Sequence, residues 1–257
     1  MHQFTGQSLR THEENVPLGE TTYRLTSILL IVSVLGFFIP FTILLVVLHF
    51  TDQPASISFS LFRQQSVVIL LSYYVVALSG LLLIGAVLAL YRVLVERETL
   101  TMIIATVCGI LGGLMQAIGD LRWPFLLSPL ATLYFDPNGN QASRSTVTAI
   151  FQTVDQFAGV ILSEHLYYLF IGVWSLLVGL YLLRSMRSIR WLAWLGIMSG
   201  CGLLISSIEQ FDWPVIGSAL LIVVVLSRVL WSVWLLSLAV ILLQRRARTN
   251  SFAFIKE

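Results

Sequence analysis

Long apolar runs separated by short charged breaks fill the chain from Leu25 onward. A helix crossing about 30 Å of hydrocarbon needs roughly 20 mainly apolar residues. By that measure spans are predicted at Leu25–Phe50, Val67–Tyr91, Leu100–Ile118, Ser163–Leu183, Trp191–Ile208 and Val215–Gln244. Pro40 is expected to kink the first. A loop over 51–66, a charged turn over Arg92–Glu98 and a loop over Asp120–Arg144 are expected between the early spans. A basic linker over Arg184–Arg190 and a short EQFDWP turn follow. From Ser145 to Arg184 the pattern stays helical for about 60 Å, twice the hydrocarbon thickness. That stretch must therefore divide, into an external or half-inserted helix ending near Ile161 and then span four. The predicted fold is all-α: a six-helix transmembrane bundle with one additional helix before span four. Residues 1–24 read as an N-terminal tail, 25–244 as the six-span domain and 245–257 as a C-terminal tail.

Composition agrees with the pattern. The chain is 57% hydrophobic and only 11% charged, against roughly 25% charged in a soluble domain. The lipid bilayer is thus its first partner. Fourteen of the fifteen basic residues are arginine, and their distribution orients the bundle. Placing both tails, the 92–98 turn and the 184–190 linker on one side gathers eleven of the basic residues there, leaving Arg63, Arg122 and Arg144 opposite. The positive-inside bias makes the first side cytosolic, with both termini on it. The same basic residues are spread as membrane-orienting charges, so no nucleic acid is implied. Cys108 and Cys201 stand within apolar stretches and read as free thiols.

Several ionisable residues fall inside this apolar pattern, where each costs several kcal/mol unless paired or hydrated. Measured outward from the cytosolic charges, Asp120, Glu164 and Glu209 lie about 28–33 Å away and Arg228 about 25 Å. All approach the outer edge of the hydrocarbon. Arg228 is the least able to stand alone, and Glu164 or Glu209 is the expected acceptor for its guanidinium fork. The expectation is an exoplasm-facing pocket lined by Asp120, Arg122, Glu164, His165, Glu209 and Arg228. Trp123, Trp213 and Trp231 would serve as walls or interface anchors. Asp155 and Asp212 are expected to face water. Gly109 and Gly113, like Gly196 and Gly200, have the G-x-x-x-G spacing of close helix packing.

No phosphate-cradling glycine loop, G-x-S-x-G or H-E-x-x-H occurs. Glu164 and His165 are adjacent and project about 100° apart on a helix, so they do not form half of a metal site. No metal and no cofactor is implied. From about Thr101 to Gln244 the sequence resembles a family of bacterial multi-spanning membrane proteins described as a domain of unknown function. The likeness rests on Arg122-Trp123-Pro124-Phe125, Glu164-His165-Leu166 with Tyr168, Trp174, the Arg190–Gly196 run, Glu209, Trp231 and Trp234-Leu235. Ser163 and Tyr167 stand where the family pattern leads one to expect glycines. The resemblance implies a bacterial cytoplasmic-membrane protein and carries no activity with it.

Function then divides three ways. The leading expectation is a protein that binds or transports a small polar or amphiphilic ligand through the charged pocket. The rival is an enzyme with Glu164 or Asp120 as base, His165 as acid and Arg228 stabilising an anion. The third is a structural or accessory subunit, acting with a membrane partner or as a homo-oligomer.

Overall fold

The computed structural model describes residues 20–49, 53–95, 99–185, 189–208 and 217–253, with backbone alone at 47, 217–221 and 245–253. Most of both tails and the EQFDWP turn lie outside those residues. The described chain is helical, with no strand among its elements. In order they are α1 (Glu20–Thr42), continued by a π-helical turn over Ile43–Val47, α2 (Ala55–Leu94), α3 (Leu100–Tyr134) and α4 (Gln141–Val154). A π-helical segment, Asp155–Leu166, leads into α5 (Tyr167–Ser185), followed by α6 (Arg190–Ile208) and α7 (Gly217–Ala253). Among the described residues, six stretches are long and apolar enough to cross a membrane. The protein is a multi-pass membrane protein.

The helices form a closed ring. α1 packs on α2, α2 on α3, α3 on α5, α5 on α6 and α6 on α7, which returns to α1. Where neighbours touch, small residues let the backbones approach, as interfaces without a hydrophobic driving force require. A Cβ on Gly200 would lie 2.8 Å from the Gly172 carbonyl and 2.7 Å from the Leu176 nitrogen. Polar side chains add cross-links: Ser27 donates to the Ala239 carbonyl (3.1 Å), joining α1 to α7. Gln116 of α3 donates to Val76 O and Ser79 Oγ of α2, at 3.0 and 2.9 Å. Tyr181 of α5 reaches Leu94 O at the end of α2 (3.0 Å). The ring interior is filled by Trp174, Trp234, Tyr167, Ile171 and Leu90, all at most 2% exposed. Leu81, Leu88, Ile103, Val107, Val225 and Val229 face outward, where lipid replaces water.

Two expected loops are helical instead. α2 begins at Ala55, directly after Pro54, and bends at Gln65 (φ −129°, ψ 33°). α3 runs on to Tyr134 through Pro124 and Pro129. Proline removes one backbone donor and crowds the preceding turn, but packing on neighbouring helices compensates. At 35 residues α3 is about 52 Å long, well beyond the hydrocarbon thickness. The extra length of α2 and α3 meets α4 in a second apolar core of Phe59, Phe62, Tyr73, Leu127, Val147 and Phe151. Phe59 touches both Tyr134 and Phe151, with ring centroids 5.0 and 5.2 Å away. That core is the tertiary reason the two stretches are ordered helix. α4 is the additional helix expected before span four, and it passes into α5 without a break in the chain's course.

Candidate functional site

Asp155, Glu164 and His165 all fall within the 12-residue π-helical segment that links α4 to α5. A π-helix is wider than an α-helix, is rare, and concentrates at functional positions. Here it has a local cause in packing. A Cβ on Gly119 of α3 would collide with Ser163 and stand 2.6 Å from the Ala158 carbonyl. A Cβ on Gly159 would run into the Arg122 guanidinium. The two glycines thus make room for α3 to press against the segment and for Arg122 to cross it.

Arg122 is the pin of that contact. Its Nε and Nη2 both donate to Asp155 Oδ1, at 3.1 and 2.9 Å. Its Nη1 donates to the Gly119 carbonyl at 2.7 Å and to Ser163 Oγ at 3.3 Å. The guanidinium also lies 4.9 Å from the Trp123 ring centre. Trp123 is stacked on Tyr73 at 4.8 Å and meets Phe151 edge-on at 5.7 Å, so the charged pair caps the second core. Arg122→Ala is expected to lower stability by about 2 kcal/mol, the scale of hydrogen bonds to a charged group. The loss is moderated because the Asp155 side chain is 39% exposed and gains water. Arg122→Lys should recover less than half, since an ammonium lacks the fork. Thermal unfolding of the detergent-solubilised variants measures both.

Arg228, on α7, stands within the bundle among aromatic rings. Its Cζ lies 4.3 Å from the Phe37 ring centre and 4.8 Å from those of Tyr167 and Tyr168. Three rings on one cation give it an electrostatic environment that hydrocarbon lacks. Asp120 is a carboxylate whose charge bears on the guanidinium. Among the described residues, the buried Nη1 of Arg228 has no hydrogen-bond partner. A buried donor left unpaired costs about 1–3 kcal/mol, more on a charged group.

Nearby, His165 Nδ1 is 2.7 Å from the Ser207 carbonyl of α6. A carbonyl only accepts, so Nδ1 carries a proton and the bond ties the π-helical segment to α6.

Six of the seven sequence-predicted site residues are thus on the page: Asp120, Arg122 and Trp123 on α3, Glu164 and His165 in the π-helical segment, and Arg228 on α7. Asp120 lies in the electrostatic field of both Arg122 and Arg228. Glu209, the seventh, lies outside the described residues, as do Asp212 and Trp213. Asp155, expected only to face water, is the ion-pair partner of Arg122. Trp231, expected as a wall or anchor, is buried and donates to Ser175 Oγ at 3.0 Å. Phe37 was not singled out, and Tyr167 and Tyr168 entered only through the family likeness, because apolar and aromatic residues at helical spacing look like ordinary packing. Only an i, i+1 tyrosine pair beside the acidic residues hinted otherwise. Among the described residues, no group of three or more His, Cys, Asp and Glu side chains is arranged to hold a metal ion.

Comparison with known proteins adds one match. A family model described as a domain of unknown function (DUF4386) matches residues 19–238, reaching farther toward the N-terminus than the sequence likeness from Thr101. No curated protein and no solved structure matches the chain.

Proposed function

The chain belongs to the DUF4386 family, and from that premise we propose a membrane-embedded receptor for a small polar or amphiphilic ligand bearing an anionic group. The single observation that carries this reading is the Nη1 of Arg228, without a hydrogen-bond partner among the described residues, inside its aromatic cage. An arginine at mid-helix costs at least about 2.5 kcal/mol on insertion scales. A purely architectural arginine would be expected to have its donors satisfied, since half-paired buried charges destabilise. One donor held back, next to rings that stabilise a cation, suits an anionic oxygen delivered from outside the protein. Asp120 then balances the charge when the ligand is absent.

The ligand site is read as facing the exoplasm, with both termini in the cytosol of a bacterium and the protein in its cytoplasmic membrane. That topology rests on the arginine count of eleven against three. The filled interior of the ring supports binding over a standing channel, so any passage through the bundle would need movement of the π-helical segment. His165, bonded through Nδ1 to a backbone carbonyl, is read as holding the segment on α6, not as an acid catalyst.

Arg228→Met separates this reading from an architectural one. Methionine keeps the volume and removes the charge, so stability should hold or rise by about 1 kcal/mol. Native mass spectrometry of protein gently extracted from its membrane should show an anionic adduct on the wild type that Arg228→Met lacks. A variant that fails to accumulate, together with an adduct-free wild type, would make Arg228 a structural residue and end the proposal.

A further inference from the structure

The lateral surface between α6 and α7 carries a groove of about 390 Å³ that begins at Val233, five residues beyond Arg228 on α7, and does not include Arg228 in its lining. Trp191 of α6 borders it, and Val233, Leu236, Ser237, Val240 and Gln244 of α7 form its floor and wall. Val233 to Gln244 is about 16 Å along the helix, roughly half the hydrocarbon thickness. The groove is therefore one leaflet deep. Its polar end is at Gln244 and Trp191, and its other end is purely apolar.

That polar end is also the basic one. Arg184 and Arg190 are exposed there, and α7 continues past Gln244 through Arg245, Arg246 and Arg248. Trp191 and Trp194, 53% and 54% exposed, stand on the first turns of α6. Tryptophan at that level marks the boundary between headgroup and acyl chain.

We propose that this groove is a binding site for one anionic phospholipid, its acyl chain lying along Ser237 and Val240 and its phosphate against Arg190. Length, apolar lining and the sign of charge at the open end agree with that occupant. A second copy of the chain fits less well, because a two-fold contact would bring the arginine-rich ends together. Basic pockets between helices on one membrane face are the known chemistry of anionic-headgroup recognition. The site is independent of the Arg228 cage and survives if that reading fails.

The test reads Trp191 directly. The protein is reconstituted in phosphatidylcholine vesicles containing increasing fractions of chain-brominated phosphatidylglycerol or chain-brominated phosphatidylcholine. Quenching at Trp191 is taken as the difference between the wild type and Trp191→Phe. Half-quenching is expected at about fivefold less phosphatidylglycerol than phosphatidylcholine, the preference one basic residue supplies near a membrane surface. Arg190→Gln should erase that difference and leave the phosphatidylcholine curve unchanged. Ser237→Phe, which fills the groove, should weaken quenching by both lipids. Equal quenching by the two lipids in the wild type would reduce the groove to ordinary annular contact. Persistence of the preference in Arg190→Gln, or a disulfide-linked dimer of Ser237→Cys in place of quenching, would also overturn the assignment.

Discussion

Gly113→Val is expected to be the most damaging single substitution, costing at least about 3 kcal/mol, the upper end of the overpacking range. Gly80 and Gly113 face one another where the backbones of α2 and α3 come into direct contact. A Cβ on Gly113 would stand 2.6 Å from the Gly80 carbonyl oxygen, and one on Gly80 2.7 Å from the Gly113 oxygen. A side chain in the way rotates aside, whereas a carbonyl in a helix moves only with the helix. The bulk must therefore drive the two axes apart. One turn along, Gln116 would lose its donors' partners at Val76 and Ser79 as the helices separate. The Cβ on Gly113 would also stand 2.8 Å from Ile84 Cγ1, and valine adds two methyls beyond it. Gly85→Ala on α2 is the control. Its Cβ would meet only Leu29 at an ordinary 3.5 Å, and alanine favours the helix. The fraction of each variant that elutes as a monodisperse peak after stepwise heating in detergent measures the difference. Equal survival of Gly113→Val and the wild type would mean that the α2–α3 contact is looser than its geometry.

The second large effect is expected from Trp234→Ala, a loss of about 3 kcal/mol. Trp234 is wholly buried and meets Trp174 edge-on at 5.5 Å across the ring of helices. Its indole fills the hollow over Gly196, where a Cβ would approach within 2.8 Å of the ring. In a membrane the transfer of apolar surface from water contributes little to this cost, because lipid chains already solvate it. The cavity left behind dominates, which puts the value at the lower end of the range for Trp→Ala. Trp234→Phe should cost less than half as much. Its indole Nε1 has no hydrogen-bond partner among the described residues, so no hydrogen bond to them is lost with it. Apparent melting temperatures of the two variants decide the point: a Phe variant as unstable as the Ala variant would show that indole shape, not volume, holds α6 on α7.

Much of the architecture was written in local patterns. The paired glycine motifs announced close helix contacts, and the structure divides their labour. Gly109 meets side chains of both α2 and α5 and Gly113 meets α2, while Gly196 receives a ring of α7 and Gly200 the backbone of α5. No local rule tells which neighbour a glycine will face, since that depends on the order of helices around the ring. The loops expected at 51–66 and 120–144 failed for a similar reason. Pro124 and Pro129 argue against helix in isolation, and the partners that override them, Phe59, Tyr73 and Phe151, come from distant parts of the chain.

The candidate site shows the same division. Depth is a local quantity, because each residue rises a fixed distance along its helix, so counting from the charged segments expected on the cytosolic side brought Asp120, Glu164 and Arg228 to nearby levels. Pairing is not local. Asp155 with Arg122, and Arg228 with Phe37, Tyr167 and Tyr168, depend on rotation of each helix about its axis and on the widened turn over Asp155–Leu166.

The sequence by itself determined that this is a helical membrane protein of six spans, because hydrocarbon admits backbone only when its hydrogen bonds are closed within each helix. Only the tertiary structure decided that the ring closes α7 on α1, that α2 and α3 extend into a second core, and that a guanidinium donor is left without a partner among the described residues. The reason is physical. Apolar runs of equal length are interchangeable to the bilayer, and which faces meet is set by the contours of small and aromatic side chains once the helices pack.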